Sequence, residues 1–291
     1  MNYIYYPGCS LKGTGRAYEE SFLAIAGALG LAIEELNDWN CCGATTYMGI
    51  DEKKAFAMAA RNLALSEEQA PDDKPVNFLA LCSACYLVHL KAQTMMDENP
   101  NLKATIIGAL ANAQLSYQGR VKIRHPLDVL VNDAGIDKIK SLVVKPLKGL
   151  KVACHYGCLV VRPYATFDDQ NNPTSMDRLI QALGAETIEW PLKTRCCGGT
   201  LMGTIPDVGS RLNYILLKEA KRRGADVVAT ACPLCQFNLE CFQNQISSLY
   251  GEPIHLPVAY FSQLMGISYG ISNRQLGMQR LFVPLQPSLA V

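Results

Sequence analysis

The chain has 291 residues, enough for two domains of ordinary size. Apolar residues make up 49% and charged residues 18%, while 27 Lys+Arg nearly balance 26 Asp+Glu, so no charged field exists to gather nucleic acid or an anionic membrane. The apolar run FLAIAGALGLAI at 22–33 falls short of the ~18 residues a membrane span needs, and MNYIYYPGCS lacks the basic start and cleavage site of an export signal. Both point to a cytoplasmic protein, where thiols stay reduced, so the 12 cysteines predict metal binding rather than a disulfide framework.

In chain order, YIYYPG predicts a strand that ends at Cys9, and RAYEESFLAIAGALG predicts an amphipathic helix closing on glycine. The strand AIEEL then leads to Cys41-Cys42. A helix over DEKKAFAMAARNLALSEEQ follows, and the strand VNFLALC runs into Cys82-Ser83-Ala84-Cys85, which opens another helix. Proline and glycine in KPLKGL, residues 145–150, mark a linker. The same order then recurs. The strand LKVACHYG ends at Cys158, the helix SMDRLIQALG and strand AETIEW lead to Cys196-Cys197, and the helix DVGSRLNYILLKEAKRRG precedes the strand DVVATAC, which runs into Cys232-Pro233-Leu234-Cys235. After the CxxC the halves differ: RHPLDVLV has its histidine 40 residues past Cys85 (125 − 85), and HLPVAYFSQLMG begins 20 past Cys235 (255 − 235). An extra helical hairpin near 97–118 is expected to absorb the difference.

The order C, CC, CxxC therefore occurs twice, which predicts two homologous domains, 1–147 and 148–291. Alternating strands and helices give each an α/β, Rossmann-like fold with a parallel sheet, and every cysteine element falls at the carboxyl end of a strand, where such sheets bind ligands. Cys154 competes with Cys158 for the second lead position. Spacing favours Cys158: the lead cysteine lies 73 before the CxxC in the first half (82 − 9), against 74 from Cys158 (232 − 158) and 78 from Cys154 (232 − 154).

Each half thus gathers five thiols. A structural zinc takes four ligands, and a cubane [4Fe–4S] cluster also takes four cysteines, so five is one too many for either. Adjacent thiolates on one turn suit a larger polynuclear iron site. Gly43, Gly198 and Gly199 let the backbone come close and donate N–H groups to sulfur. Structural zinc, or a redox dithiol in the CxxC pairs, remains the plainer alternative. Cys241, outside the repeat, reads as a buried helix residue.

The motif of a lone cysteine, CCG and CxxC, each separated by thirty-odd residues, resembles the CCG-domain family over nearly the whole chain. YYPGCSLKGTGRAYEES, HYGCLVVRP and LPVAYFSQLMG are similar to its heterodisulfide reductase B-subunit branch, known from methanogens. The resemblance implies two noncubane [4Fe–4S] clusters, one on Cys9, Cys41, Cys42, Cys82 and Cys85, the other on Cys158 (or Cys154), Cys196, Cys197, Cys232 and Cys235. It further implies reduction of the coenzyme M–coenzyme B mixed disulfide, one sulfur to each cluster. The implied electron donors are a ferredoxin-like C subunit with a flavin-containing A subunit, and a hydrogenase or formate dehydrogenase upstream.

Those substrates carry a sulfonate and a phosphate, so Lys12, Arg16 and Arg195, with Lys193 and Arg162, are candidate anion contacts beside the bland reading of solvated surface charges. His155, three before Cys158, is a candidate proton donor or a structural hydrogen bonder. His89, His125 and His255 have no stronger claim. Two rival functions stay open: an electron-relay subunit of a lactate, glycolate or thiol-dependent fumarate enzyme, and a zinc-holding module without catalysis.

Overall fold

A computed structural model describes residues 2–70 and 74–285. Four strands of the first half, β1 (Asn2–Tyr6), β2 (Ala32–Glu35), β3 (Val76–Ala80) and β4 (Val121–Arg124), form one parallel sheet in the order β2-β1-β3-β4. Four of the second half, β5 (Lys151–His155), β6 (Glu186–Thr187), β7 (Val227–Thr230) and β8 (Val258–Tyr260), repeat that order as β6-β5-β7-β8. In register, Ile4 lies opposite Phe78, and Ala153 opposite Val228. The inner strands β1, β3, β5 and β7 are nearly continuous apolar runs, as sheets covered on both faces require. The exposed edge strand β2 instead carries Glu34 and Glu35, charges that discourage edge-to-edge pairing. The α/β class, the parallel sheets and the duplication agree with the reading of the sequence.

Contacts group the chain into two units, Met1–Lys12 with Leu31–Pro126, and Gly13–Gly30 with Leu127–Val291. The first holds sheet β1–β4, the second sheet β5–β8. The helix Arg16–Ala28 belongs to the second unit and packs on Phe261–Ser268 there. Tyr18 stacks on Tyr260 at 4.4 Å between centroids, the Ser21 and Ser262 hydroxyls bond at 2.7 Å, and Glu20 pairs with Arg280 at 2.8 Å.

Two local expectations change. AETIEW pairs only over Glu186–Thr187, because β6 is an edge strand with a partner on one side. The added residues after the first CxxC build no separate hairpin. The helix pair Ser83–Glu98 and Pro100–Asn112, of 16 and 13 residues, matches the shorter pair Pro233–Cys241 and Gln243–Tyr250, of 9 and 8, so longer helices take up most of the difference. His125 moreover follows its strand β4, whereas His255 precedes β8. Asn99 caps the second of the longer pair by accepting from the Leu102 N–H, and Pro100 sits at its first position.

Candidate metal centres

In a sheet ordered 2-1-3-4, chain connections diverge between the first and third strands, and ligands collect outside the carboxyl ends there. Each lead cysteine follows one of those strands and each CxxC follows the other. Cys82 ends the β3 connection in extended conformation and caps the helix Ser83–Glu98, so Cys85 sits one turn on, in the first turn. Cys232 does the same before Pro233–Cys241, where Pro233 occupies the first helical position and loses no bond by lacking an N–H. Both CxxC pairs thereby meet a helix N-terminus, whose dipole favours thiolate. Bonds to neighbouring thiols (Cys42 and Cys82 for Cys85, Cys197 and Cys232 for Cys235) and burial outweigh it and push the Cys85 and Cys235 thiols well up.

The doublets sit in loops that press against the next long helix. A Cβ on Gly43 would stand 2.9 Å from the Ala55 Cα, and one on Gly198 would stand 3.2 Å from the Gly209 Cα. Glycine is required here because two backbones meet. It also frees N–H groups, and the Gly198 N–H donates to the Cys196 Sγ at 3.3 Å.

All ten cysteines of the repeat come together in their own fives. In the first unit the Cys42 and Cys85 sulfurs lie 3.2 Å apart, Cys41 bonds Cys42, Cys82 bonds Cys85, and Cys9 acts electrostatically on Cys41. In the second unit the contacts run Cys158 to Cys196 to Cys197 to Cys235 to Cys232. Cys42, Cys82, Cys85, Cys197, Cys232 and Cys235 are buried, whereas Cys9 and Cys196 are exposed. Each cradle therefore has a dry floor and one thiol at its rim. Crowding also sets charge: hydrogen bonds from Cys41 and Cys85 hold Cys42 well below the usual thiol range, and bonds from Cys158 and Cys197 do so for Cys196. Cys154 stands apart in β5. Burial pushes its thiol well up, and the charged groups that act on it are Asp177 and Lys193. Cys241 ends its helix half-buried rather than buried, with its thiol pushed up to about 12 by partial burial.

Among the described residues no three His, Cys, Asp or Glu side chains enclose a single ion. The fit to a polynuclear group rests on donor chemistry and room. Five soft thiols per set exceed what zinc uses. Glycine also clears the floor of each cradle: a Cβ on Gly8 would meet the Cys85 Sγ at 3.2 Å, and one on Gly157 the Cys235 Sγ at 3.1 Å.

Buried polar networks, absent from the sequence reading, brace these loops. The Asn40 side chain donates to Cys41 O at 2.7 Å and Met58 O at 3.0 Å, its backbone exchanges bonds with the Asn62 amide, and the Tyr6 hydroxyl donates to Asn40 O at 2.8 Å. His89 closes the network. Its Nδ1 donates to Cys85 O at 2.7 Å, which leaves Nε2 to accept from Asn62 at 3.2 Å. The only sequence signals were an asparagine just before the doublet and a histidine four past Cys85. In the second unit the Tyr156 hydroxyl donates to Asp177 at 2.5 Å, Lys193 reaches both Asp177 oxygens at 3.2 Å and Pro173 O at 3.0 Å, and Asn238 donates to Cys197 O and Gly199 O.

The other candidates disperse. Lys193 is buried in that ion pair, and so is no anion contact. Lys12 pairs with Glu35 at 2.8 Å and Arg16 with Glu20 at 3.1 Å. Arg162 donates to Thr194 O, and Arg195 is exposed beside Cys196. His125 lies 3.4 Å from the Ser83 hydroxyl, and His255 is exposed. His155 is fully buried, and burial pushes it down to about 4. Leu192 O acts on its ring from outside hydrogen-bonding geometry, and neither ring nitrogen has a partner.

The family model of the cysteine-rich CCG domain matches residues 3–101 and 152–240. The chain is 33% identical over 278 residues to the 8-methylmenaquinol:fumarate reductase membrane anchor subunit of Wolinella succinogenes, covering 95% of each chain. It is 28% identical to the B subunit of the ferredoxin/F(420)H(2)-dependent CoB-CoM heterodisulfide reductase of Methanosarcina acetivorans, over 94% of this chain and 91% of that one. With a protein of Archaeoglobus profundus described as like the B subunit of heterodisulfide reductase, the identity is 29%, over 95% and 93%. A crystal structure of a hypothetical protein from Helicobacter pylori shares the fold, with a TM-score of 0.73 at 16% identity, over 93% of this chain and 49% of that one. No helix among the described residues is long and apolar enough to cross a membrane.

Proposed function

This chain belongs to the CCG family of cysteine-rich domains, and from that premise we propose that it is the disulfide-reducing subunit of a multi-subunit reductase, with two domains, 1–147 and 148–291, each holding one noncubane [4Fe–4S] cluster. The observation that carries this is the gathering of five thiols in each unit, with one exposed at the rim. The ligands are Cys9, Cys41, Cys42, Cys82 and Cys85 in the first, and Cys158, Cys196, Cys197, Cys232 and Cys235 in the second.

The reaction is RS–SR′ + 2e⁻ + 2H⁺ → RSH + R′SH, with the coenzyme M–coenzyme B disulfide as substrate. Bound clusters supply the electrons and an iron for each product sulfur. The protein's part is positional. Buried cysteines and the glycine-cleared floor keep water from the inner ligands, the Asn40 and Asp177 networks fix the doublet loops, and Arg195, exposed beside Cys196, is placed to attract an anionic substrate. Ferredoxin-like and flavin-containing partners deliver electrons. Relatives at 28 and 29% identity over most of the chain, named for the B subunit of heterodisulfide reductase, support this reading.

The 33% identical Wolinella relative, named for an 8-methylmenaquinol:fumarate reductase, favours a second reading, in which the same two clusters relay electrons from a quinol to a fumarate-reducing partner. The mixed disulfide, offered to anaerobically purified protein with a reduced viologen, separates them. Two thiols released per two electrons supports the first reading; oxidation of the donor only when a partner subunit is added supports the second.

A further inference from the structure

The repeat places different side chains at one matched position beside its thiols. Three residues before each lead cysteine stand Tyr6 and His155, the last residues of β1 and β5. Tyr6 is committed: its hydroxyl donates to Asn40 O, and its ring packs on Trp39, Phe78 and His89. His89, which acts electrostatically on Cys42 of that thiol set, is satisfied at both nitrogens.

His155 is different. It is completely buried, 6.1 Å from the Trp190 ring between centroids, and both ring nitrogens lack a hydrogen-bond partner. A Cβ built on Gly157 would lie 3.1 Å from the Cys235 Sγ and 3.7 Å from the His155 Nε2, so that thiol and that nitrogen border the same small space above the glycine. A buried polar group without a partner destabilises the fold, and such groups in native proteins call for an explanation. Across that space lies the Cys235 sulfur, and Cys232 and Cys196 act on the ring electrostatically.

We propose that the His155 Nε2–H donates a hydrogen bond to sulfur in the second centre, that Tyr6 at the matched position gives the first centre no such bond, and that the two centres are therefore reduced at different potentials. The inference rests on the reading of the thiol sets as iron–sulfur sites. Reduction adds negative charge that spreads onto sulfur, and an N–H aimed there stabilises the reduced form and raises the potential. The Tyr6 hydroxyl, turned to Asn40 O, does not do this for the first centre. An electron entering the chain comes to rest on the second centre, so sequence duplication has not produced two equivalent sites. His155 acts here as a positioning and tuning residue.

The test is a redox titration followed by electron paramagnetic resonance, on anaerobically purified full-length wild type, His155→Phe and His155→Gln, with iron measured on every sample. His155→Phe is expected to move one of two transitions down by about tenfold in its reduction equilibrium, about 59 mV for one electron, and to leave the other unmoved. His155→Gln, which keeps an N–H, recovers much of the shift. Full iron with both transitions unmoved, or both moved alike, overturns the proposal. Wild type without iron overturns the reading beneath it as well. Should His155→Phe load iron poorly, ¹⁵N-histidine-labelled wild type and His155→Gln are compared by pulsed resonance. A nitrogen coupling to one centre, present in the first and missing in the second, supports the donor; its absence from wild type refutes it.

Discussion

Gly157→Ala probes the cradle floor with a single methyl group. Gly157 has φ +71°, a left-handed conformation that costs a residue bearing a Cβ about 1–2 kcal/mol. Gly224, just past the helix Pro206–Arg222, has φ +79° with nothing within 4 Å of where a Cβ would stand, so Gly224→Ala carries the backbone cost alone. At about 2–4 °C per kcal/mol, each variant should melt lower by about 2–8 °C. Only Gly157→Ala also touches a thiol. Its methyl would stand 3.1 Å from the Cys235 Sγ, where apolar contacts settle near ~3.5–4.0 Å, so the sulfur must yield by about half an ångström. Metal–ligand distances tolerate ~0.2 Å. Iron per chain, measured anaerobically, should stay near about eight in Gly224→Ala and fall toward about four in Gly157→Ala. Equal iron in the two variants at equal melting loss would refute the reasoning, since the thiol contact would then be without effect.

Asp177→Asn leaves the buried Lys193 ammonium without its counter-charge and should cost about 3–5 kcal/mol in denaturant unfolding, side-chain exposure being 13% and 10% in the pair; a loss under half a kcal/mol would contradict the burial argument. Cys158→Ser should lose about four irons, while Cys154→Ser and Cys241→Ser keep the wild-type content; iron loss in Cys154→Ser instead would reassign the lead position. Glu240, whose carboxyl burial pushes up to about 7, binds its proton more tightly folded than unfolded. Its contribution is therefore full below about pH 4.5 and falls by about 1.4 kcal/mol per pH unit until about pH 7. Unfolding free energies of wild type and Glu240→Gln across that window should show the slope only in wild type.

The strands and cysteine elements were legible because they depend on local pattern: apolar runs bounded by glycine, and thiols at fixed distances. Their meeting was legible too, since a parallel sheet gathers strand carboxyl ends on one side. What escaped depends on long-range packing. Nothing local to RAYEESFLAIAGALG says that Tyr18 stacks on Tyr260, 242 residues away (260 − 18), or that the helix groups with the second unit. Lys193 looks like a solvated charge in LKTRCC until Asp177, 16 positions upstream, is seen beneath it. The Asn40–Asn62–His89 network joins three segments whose residues are ordinary singly. The length difference after the CxxC was visible as a count, but whether it made a new hairpin or longer helices was decided by packing on Glu52–Gln69, which gathers Phe56, Ala60, Val88, Met96, Ile106 and Leu110 into one core.

The central claim is that each five-thiol set holds a polynuclear iron–sulfur group. Metal analysis of anaerobically purified, full-length protein tests it most directly: about eight irons and matching sulfide per chain with negligible zinc is the predicted result, whereas about one zinc per five-thiol set with little iron would contradict it.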